Sequence, residues 1–501
     1  MRYLNKILAL FLCTALIFLP ACSVPPSTDG GEPGGDTPPG GNIIEIKPPS
    51  EGLAYEARGP RECVITGIGT CTDEDIVIPD YIGTMKVVEI AERAFAQKEG
   101  VDLEEDNATQ NGSNPFPPLR PMMSEGKSSV SFLSVAAEVE ENEEEENDTV
   151  IRSVSIPLTV TSIGKEAFLG CEELADLETT RLLQLVGRDA FKDTAVYNDE
   201  SNWKDGLLYV ENVLAAARPE VSGTVTLREG TTVIADRIFY GNAAITDIEI
   251  PSSVRSIGNY AFYGCTGLGE IRAVCRDLIV GVSAFEGCTS LRYAEFGVNE
   301  DIYTPTMEGV EQAFDVAYTE DGTAVYTPLE QDVNGRPFVY EVRFRYKTFS
   351  GCSSLAEVKL NKNVANVGSA DYTDCVALES IVFSDNVTDT MGIIFRNCTK
   401  LSRVTFGKNM TRVSTQTFYK CPALTELSFP DGVAVVEDVA WFSGVKRLHL
   451  GSGLRKISWT QGSLQYIAYN GTVEEWGKVE KGLLFLAQDC IIQCTDGIAA
   501  P

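Results

Sequence analysis

Apolar residues recur along most of the chain with a single period. The steps Phe168 to Phe191, Phe239 to Phe262 to Phe285, and Phe349 to Tyr372 to Phe395 to Phe418 are each 23 residues. Phe442 follows 24 residues after Phe418, and Phe95 marks an earlier turn. Three residues after the aromatic stands cysteine, at 171, 265, 288, 352, 375, 398 and 421. Six after it stands Leu or Ile, as in Leu174, Ile245, Leu268, Leu291, Leu355, Leu378, Leu401, Leu424 and Leu448. Two further apolar positions then flank one polar position, as in Ile248-Glu249-Ile250 and Val404-Thr405-Phe406. That alternation predicts a short strand, and Pro157, Pro251 and Pro430 stop it. A second extended piece follows, as in Ser253 to Gly258, and the Ala-Phe-x-Gly-Cys stretch reads as one helical turn.

No unit of this length buries its apolar face alone, so the units must stack. Stacking sets equivalent strands about 4.8 Å apart in a parallel ladder. The predicted fold class is α/β: a right-handed solenoid of short parallel strands with a continuous inner core.

The ends and interruptions have other compositions. Arg2 and Lys6 precede the apolar run Ile7 to Phe18, which is too short to span a bilayer. Leu19-Pro20-Ala21-Cys22 closes it, so residues 1–21 are expected to be a lipoprotein signal peptide and Cys22 its lipidation site. Residues 22–50 are a Pro/Gly-rich tether that buries almost nothing. Residues 51–95 are assigned to an N-terminal cap and first repeat, and 96–150 to an acidic, disordered insertion. The array occupies 151–463, with insertions near 197–230 and 297–345, and 464–501 forms a C-terminal cap. In the later insertion Tyr318, Val325, Tyr326, Phe338, Tyr340, Val342 and Phe344 alternate, as in a hairpin or small sheet.

Ile248 to Leu268, IEIPSSVRSIGNYAFYGCTGL, resembles the repeat of the BspA-like leucine-rich repeat proteins of bacterial surfaces. Cys63 to Pro79 resembles that family's N-terminal hairpin cap, Trp203 to Ile234 its hairpin insertion, and Tyr469 to Gly497 its C-terminal cap. The resemblance implies a leucine-rich repeat solenoid with a role in adhesion or host-protein interaction. Residues 19–22 resemble a bacterial lipoprotein signal, which implies anchoring through Cys22, and by resemblance to the lipoprotein sorting pattern the absence of Asp after Cys22 implies the outer membrane of a Gram-negative cell; surface exposure is the expectation, with a periplasmic orientation left open.

Charge narrows the classes of partner. With 41 Lys+Arg against 72 Asp+Glu the net charge is −31, which argues against nucleic-acid binding. Residues 99–148 account for −12 of this, so the rest of the chain is acidic too. The one histidine, His449, leaves little basis for a His-based metal centre, and no cofactor is expected. The repeat cysteines read as small buried thiols. Cys63/Cys71 and Cys490/Cys494 are compatible with cap disulfides or with free thiols.

The candidate ligand-binding residues are the outward strand positions between the paired apolar ones. They are Glu249, Arg272, Glu295, Lys359, Thr405, Ser428 and His449, in a column that also includes Ser155 and Val382. Glu249, Arg272 and Glu295 alternate in sign, as neighbouring strands favour. Ser428 beside His449 lacks an evident orienting acid and a strained nucleophile turn, so no catalytic residue is assigned. The expected function is a non-enzymatic scaffold for a protein ligand. The alternatives are an envelope protein that stacks glycans on aromatics of 297–345, and, less favoured, a carbohydrate hydrolase needing a carboxylate pair about 5–10 Å apart in a groove.

Overall fold

A computed structural model describes residues 48–98, 149–180, 182–299, 341–390, 392–441 and 443–500, and the backbone of 314–318 and 324–328. Cys22, the tether up to residue 47, the acidic run 99–148 and Phe442 lie outside the described residues. Within the described part the chain winds into coils joined by parallel ladders. One ladder runs Gly223–Thr226, Ile245–Glu249, Glu270–Ala273, Tyr293–Phe296, Glu357–Leu360, Ser380–Val382, Arg403–Thr405. Its register is unshifted from Ile248 to Ile271 to Ala294 to Val358, because each strand is the same segment of successive repeats. A second ladder continues from Val213–Ala217 through Val233–Ile234, Ser256–Ile257 and Leu278–Val280 to Val342–Phe344.

The third side replaces the expected helical turn with a ladder of turns. Tyr260, Phe262 and Gly264 donate their N–H groups to Val282, Ala284 and Glu286 of the next coil, each at 2.8 Å. The intervening Tyr263 and Cys265 close local bonds onto Tyr260 and Phe262. A helix would consume all of these donors within the segment. Here left-handed backbone at Tyr260 (φ 56°) and Gly264 (φ 68°) breaks the helical run and aims alternate N–H groups along the axis. Arg93, Glu166, Asp189, Arg237, Ser283 and Lys347 take the same left-handed conformation in their own coils. Only intercoil bonding makes that tolerable for side chains with a Cβ. Regular helix among the described residues is confined to Ala195–Asn198, Val473–Lys478 and a 3-10 turn at Glu200–Asn202.

The repeat aromatics form a stack through the core. Rings of Phe239, Phe262, Phe285, Phe349, Tyr372, Phe395 and Phe418 follow one another at 5.1–5.6 Å between centroids. Phe95, Phe168 and Phe191 form a shorter stack of the same kind in a separate hydrophobic cluster. Such offset pairs add about 0.5–1.5 kcal/mol each beyond burial. Each repeat thiol donates to the carbonyl of the preceding coil's aromatic: Cys265 Sγ to Phe239 O at 3.1 Å, Cys288 to Phe262 O at 3.1 Å, Cys421 to Phe395 O at 2.9 Å. Burial pushes the thiol of Cys171 up to about 12. Cys63 and Cys494 are buried and Cys490 is half-buried in the cap segments.

Interruptions leave the phase intact. Phe95 and Phe168 stack although 73 residues apart, one coil plus the 50 residues 99–148. Phe285 and Phe349 stack across 64 residues, one coil plus the 41 residues 300–340. Asn363, fully buried, pins the root of the second interruption. Its side chain accepts from Val298 N at 2.6 Å and donates to Cys275 O and Arg276 O.

Several sequence boundaries move. Val342 and Phe344 belong to the second ladder and not to the insertion, whose described part is an antiparallel pair, Phe314–Tyr318 with Ala324–Pro328. Gly223–Thr226 likewise belongs to the first ladder, so the strands of the 197–230 interruption reduce to the hairpin Trp203–Lys204 with Leu207–Val210, which pairs antiparallel with Val213–Ala217 of the second ladder. The N-terminal hairpin pairs Ala54–Ala57 with Glu62–Gly67 and so starts before Cys63. Phe418 N and Lys420 N bond Val439 O and Trp441 O, so Ala440 takes the aromatic's place in that shortened coil. Leu448 is accordingly a strand residue opposite Leu427.

The coils end where the ladders merge. Lys456–Tyr469 pairs with both Val435–Glu437 and Arg447–Leu450, and Glu480–Cys494 runs parallel to it. The short helix Val473–Lys478 closes the end, with a capping box between Thr472 and Glu475 and Trp476 buried beneath it.

Two outcomes follow. Phe285→Ala, at the centre of the stack, should lower stability by about 3–5 kcal/mol, read from the urea midpoint. Asp371, whose carboxylate accepts from Thr348 N and Gly368 N, is pushed up to about 7 by burial, and Asp236 to about 6 by the same cause. Folding therefore raises their proton affinity. This contribution is full below the ordinary Asp range and is lost as pH rises through about 6 and 7. The melting temperature should fall between pH 5 and pH 8, and Asp371→Asn should flatten that slope.

Candidate interaction surface

The first ladder buries every second residue and turns the others outward. Because its register is unshifted, outward residues of successive coils align into columns. One column runs Thr226, Glu249, Arg272, Glu295, Lys359, Val382, Thr405 through consecutive pairings. Further along, Ser428 pairs with His449 and His449 with Ala468. The structure thus aligns Glu249, Arg272, Glu295, Lys359 and Thr405 as expected, and Ser428 with His449 in the following sheet. Ser155 occupies the same position in a separate sheet, between Val77 and Glu178.

A second column lies two residues earlier on the same face and was missed from sequence. It contains Asp247, Glu270, Tyr293 and Glu357 in register, and later Ser380 with Arg403, then Glu426, Arg447 and Tyr466. The signal was available, since period-2 alternation exposes both residues flanking the buried one.

The side chains pair along the column only at Glu295 with Lys359 and otherwise make local clusters in place of the expected alternation Glu249-Arg272-Glu295. Arg272 pairs with Glu270 on its own strand at 3.2 Å and lies over the Tyr293 ring at 5.1 Å. Thr226 Oγ1 donates to Glu249 at 3.1 Å. Glu295 is largely covered, with 14% of its side chain exposed. Burial alone would raise its carboxyl, but donors from Lys359, Asn361 and Tyr293 hold it below the usual range. Glu295 is therefore an anchor of the face, while Glu249, Lys359 and Val382 are exposed on it.

An acid does accompany the histidine. Glu426 Oε1 lies 3.0 Å from His449 Nε2, correcting the expectation that no acid orients it. The acid comes from the second column, on Ser428's own strand. No hydrogen bond joins Ser428 to the imidazole among the described residues, and the three side chains stand on an open strand face without a turn that would aim backbone donors at an oxyanion.

The two columns are zoned by charge. From Asp247 to Lys359 they carry five carboxylates and two cations; from Ser380 to Ala468 the balance is Arg403 and Arg447 against Glu426. Charge complementarity of this kind governs approach and orientation of a partner.

Parallel strands in unshifted coils, a buried Leu/Ile/Phe core and outward columns define a leucine-rich repeat solenoid. The BspA type leucine-rich repeat region matches in six copies, over residues 146–202, 222–306 and 342–449, and the chain belongs to that family. A leucine-rich cell-surface protein of Faecalibacterium prausnitzii is 19% identical, over 87% of this chain and 98% of its own, with a TM-score of 0.28. A leucine-rich repeat protein of Bacteroides ovatus is 17% identical, over 80% and 98%, with a TM-score of 0.22. The pneumococcal vaccine antigen PcpA is 13% identical, over 88% and 98%, with a TM-score of 0.32. No curated protein matches the chain in sequence.

Anchor and contact residues should separate by stability. Glu295→Ala should cost roughly 1–3 kcal/mol by leaving covered donors unpaired. Arg272→Ala should cost less than about 1 kcal/mol, since its ion pair is exposed. Denaturant midpoints of the two variants decide this.

Proposed function

We propose that the chain is a non-enzymatic cell-surface scaffold that docks a protein partner on the outward face of the first ladder. The observation that carries the reading is the pair of registered, charge-zoned columns from Asp247 to Ala468, a surface whose positions the fold holds fixed while leaving their side chains to be chosen. Rigid spacing lowers the ordering cost of many modest contacts. The acidic stretch suits a basic patch on the partner, with Val382 at 58% exposure as an apolar contact. Membership of the BspA-type family and the surface location named for the F. prausnitzii protein support the placement.

Attachment is proposed to run through lipidation of Cys22, with residues 22–50 lifting the solenoid from the outer membrane of a Gram-negative cell. Protease treatment of intact cells should remove the repeat region, and Cys22→Ala should release the protein from the membrane fraction. Resistance until the envelope is broken would overturn the outward placement.

The docking face is tested by photo-crosslinking on such cells. A photoreactive residue at Glu249 or Thr405 should capture a protein partner, and one at Tyr419, on the turn side, should not. Glu249→Lys with Glu270→Lys should weaken capture and reduce its salt sensitivity. Equal capture from both sides would sink the assignment.

A further inference from the structure

Axial bonding joins successive coils with one exception. On the turn side the aromatic's N–H reaches the next coil from Phe95 to Ala167 O and from Phe168 to Ala190 O. It does so again from Phe239 to Ala261 O and onward to Phe418 and Val439 O. Among the described residues no such bond leaves Asp189, Phe191 or Asp193. Both strand ladders stop at the same step. Asp176–Glu178 and Leu185–Val186 each end a sheet, while Trp203–Lys204 and Gly223–Thr226 each begin a new one. The aromatic stack breaks there too, since Phe191 closes one run and Phe239 opens the next. Asp236 N to Val186 O at 2.9 Å and Ser256 Oγ to Gln184 O bridge the step.

Each side of the step carries its own closure. The chain's first coils open with the antiparallel pair Ala54–Ala57 and Glu62–Gly67, whose second strand then pairs parallel with Met85–Ile90. Beyond the step the pattern recurs: Leu207–Val210 lies antiparallel to Val213–Ala217, which then pairs parallel with Val233–Ile234. The far ends match as well. Thr472 caps the short helix Val473–Lys478, with Trp476 buried in it, and Thr194 caps the short helix Ala195–Asn198. Trp203 follows that helix and donates Nε1 to Tyr197 O at 2.8 Å. A repeat array needs caps where an end coil lacks a neighbour, so caps inside the chain mark an internal end. The inner hairpin faces both ways. Val210 and Val213 join the hydrophobic cluster of the coils before it, and Leu207 and Leu214 join that of the coils after it. An open groove of about 360 Å³ lies on the step, with Lys165 and Arg188 on one side and Asp236, Arg237 and Arg345 on the other.

We infer that the solenoid is two separately closed arrays, 48–194 and 203–500, joined by a hinge at 195–202. Nearest-neighbour coupling gives a repeat array its cooperativity. Where that coupling is reduced to apolar packing and a pair of bridging bonds, the two bodies turn against each other and open independently. The outward residues Val77, Ser155 and Glu178 of the first array therefore ride on a body whose angle to the docking columns of the second is variable.

The test has two readouts on the full chain. Spin labels on noncanonical residues at the exposed positions Glu172 and Thr266 span three coils across the step, and labels at Thr289 and Thr399 span three coils within the second array. The distance distribution of the first pair should be about twofold broader than that of the second. Hydrogen exchange gives the other readout. Phe168→Ala should speed exchange at Ile163 and Val186 about tenfold or more and leave Ile271 and Ala294 at the wild-type rate. Phe395→Ala should leave Ile163 and Val186 unchanged, and Phe168→Leu repeats the comparison with a smaller loss of packing. Equal widths for the two pairs, or a Phe168 variant that loosens both arrays alike, would overturn the inference.

Discussion

Everything in this molecule depends on axial hydrogen bonding between coils held in one register. Three sides of each coil donate to the next: two through strands and one through alternating turn N–H groups such as those of Phe262 and Gly264. That bonding holds left-handed backbone at Arg237, Tyr260 and Ser283, none of which would hold it alone. It also sets the axial repeat that brings Phe262 and Phe285 to 5.1 Å, and that places the Cys288 thiol on the carbonyl of Phe262. Aromatic stack, thiol ladder and outward columns are consequences of one spacing expressed at different positions of the repeat.

The same constraint explains how long interruptions are tolerated. Stability in such an array is a sum of coils and their nearest-neighbour contacts. An insertion that leaves and re-enters one coil at adjacent points therefore costs loop closure, which grows slowly with length, but no stacking. Lys98 and Thr149 show such a root: Gln97 Nε2 donates to Thr149 O at 2.9 Å, and the coil closes as if the residues between were absent. What the array cannot tolerate is an open end, since an unpaired coil exposes apolar surface and backbone donors. The hairpin Ala54–Ala57 with Glu62–Gly67 and the helix Val473–Lys478 over Trp476 close the two ends by different means.

The period was legible in the sequence because each slot has one physical requirement. In most coils the aromatic, thiol and leucine slots are fully buried and are written in residues of one kind, and the strand and its outward column follow from alternation. Three things escaped. The turn side reads as helix locally, and only the neighbouring coil's carbonyls make a different pattern better; no local signal distinguishes them. The coil after Phe418 is shortened, and Ala440 in the aromatic's slot carries no aromatic signal in the sequence. Charge pairing was misread because column alternation counts only neighbours along the axis, whereas Arg272 reaches Glu270 within its own strand and the face of Tyr293 diagonally. Glu426 beside His449 escaped for the same reason.

A scaffold of this kind separates folding from recognition position by position. Buried slots answer to the register and are nearly invariant along the chain; outward slots answer only to solvent, so their composition is free to vary. Drift alone would scatter charge over them in proportion to the chain's acidity. Within the two outward columns charge is not scattered: carboxylates concentrate between Asp247 and Glu357, while Arg403 and Arg447 outweigh Glu426 beyond them. Concentrating like charges costs electrostatic energy that folding does not recover. Where an architecture leaves positions free and the chain still groups them at a cost, the grouping is best explained by something outside the chain that the surface meets.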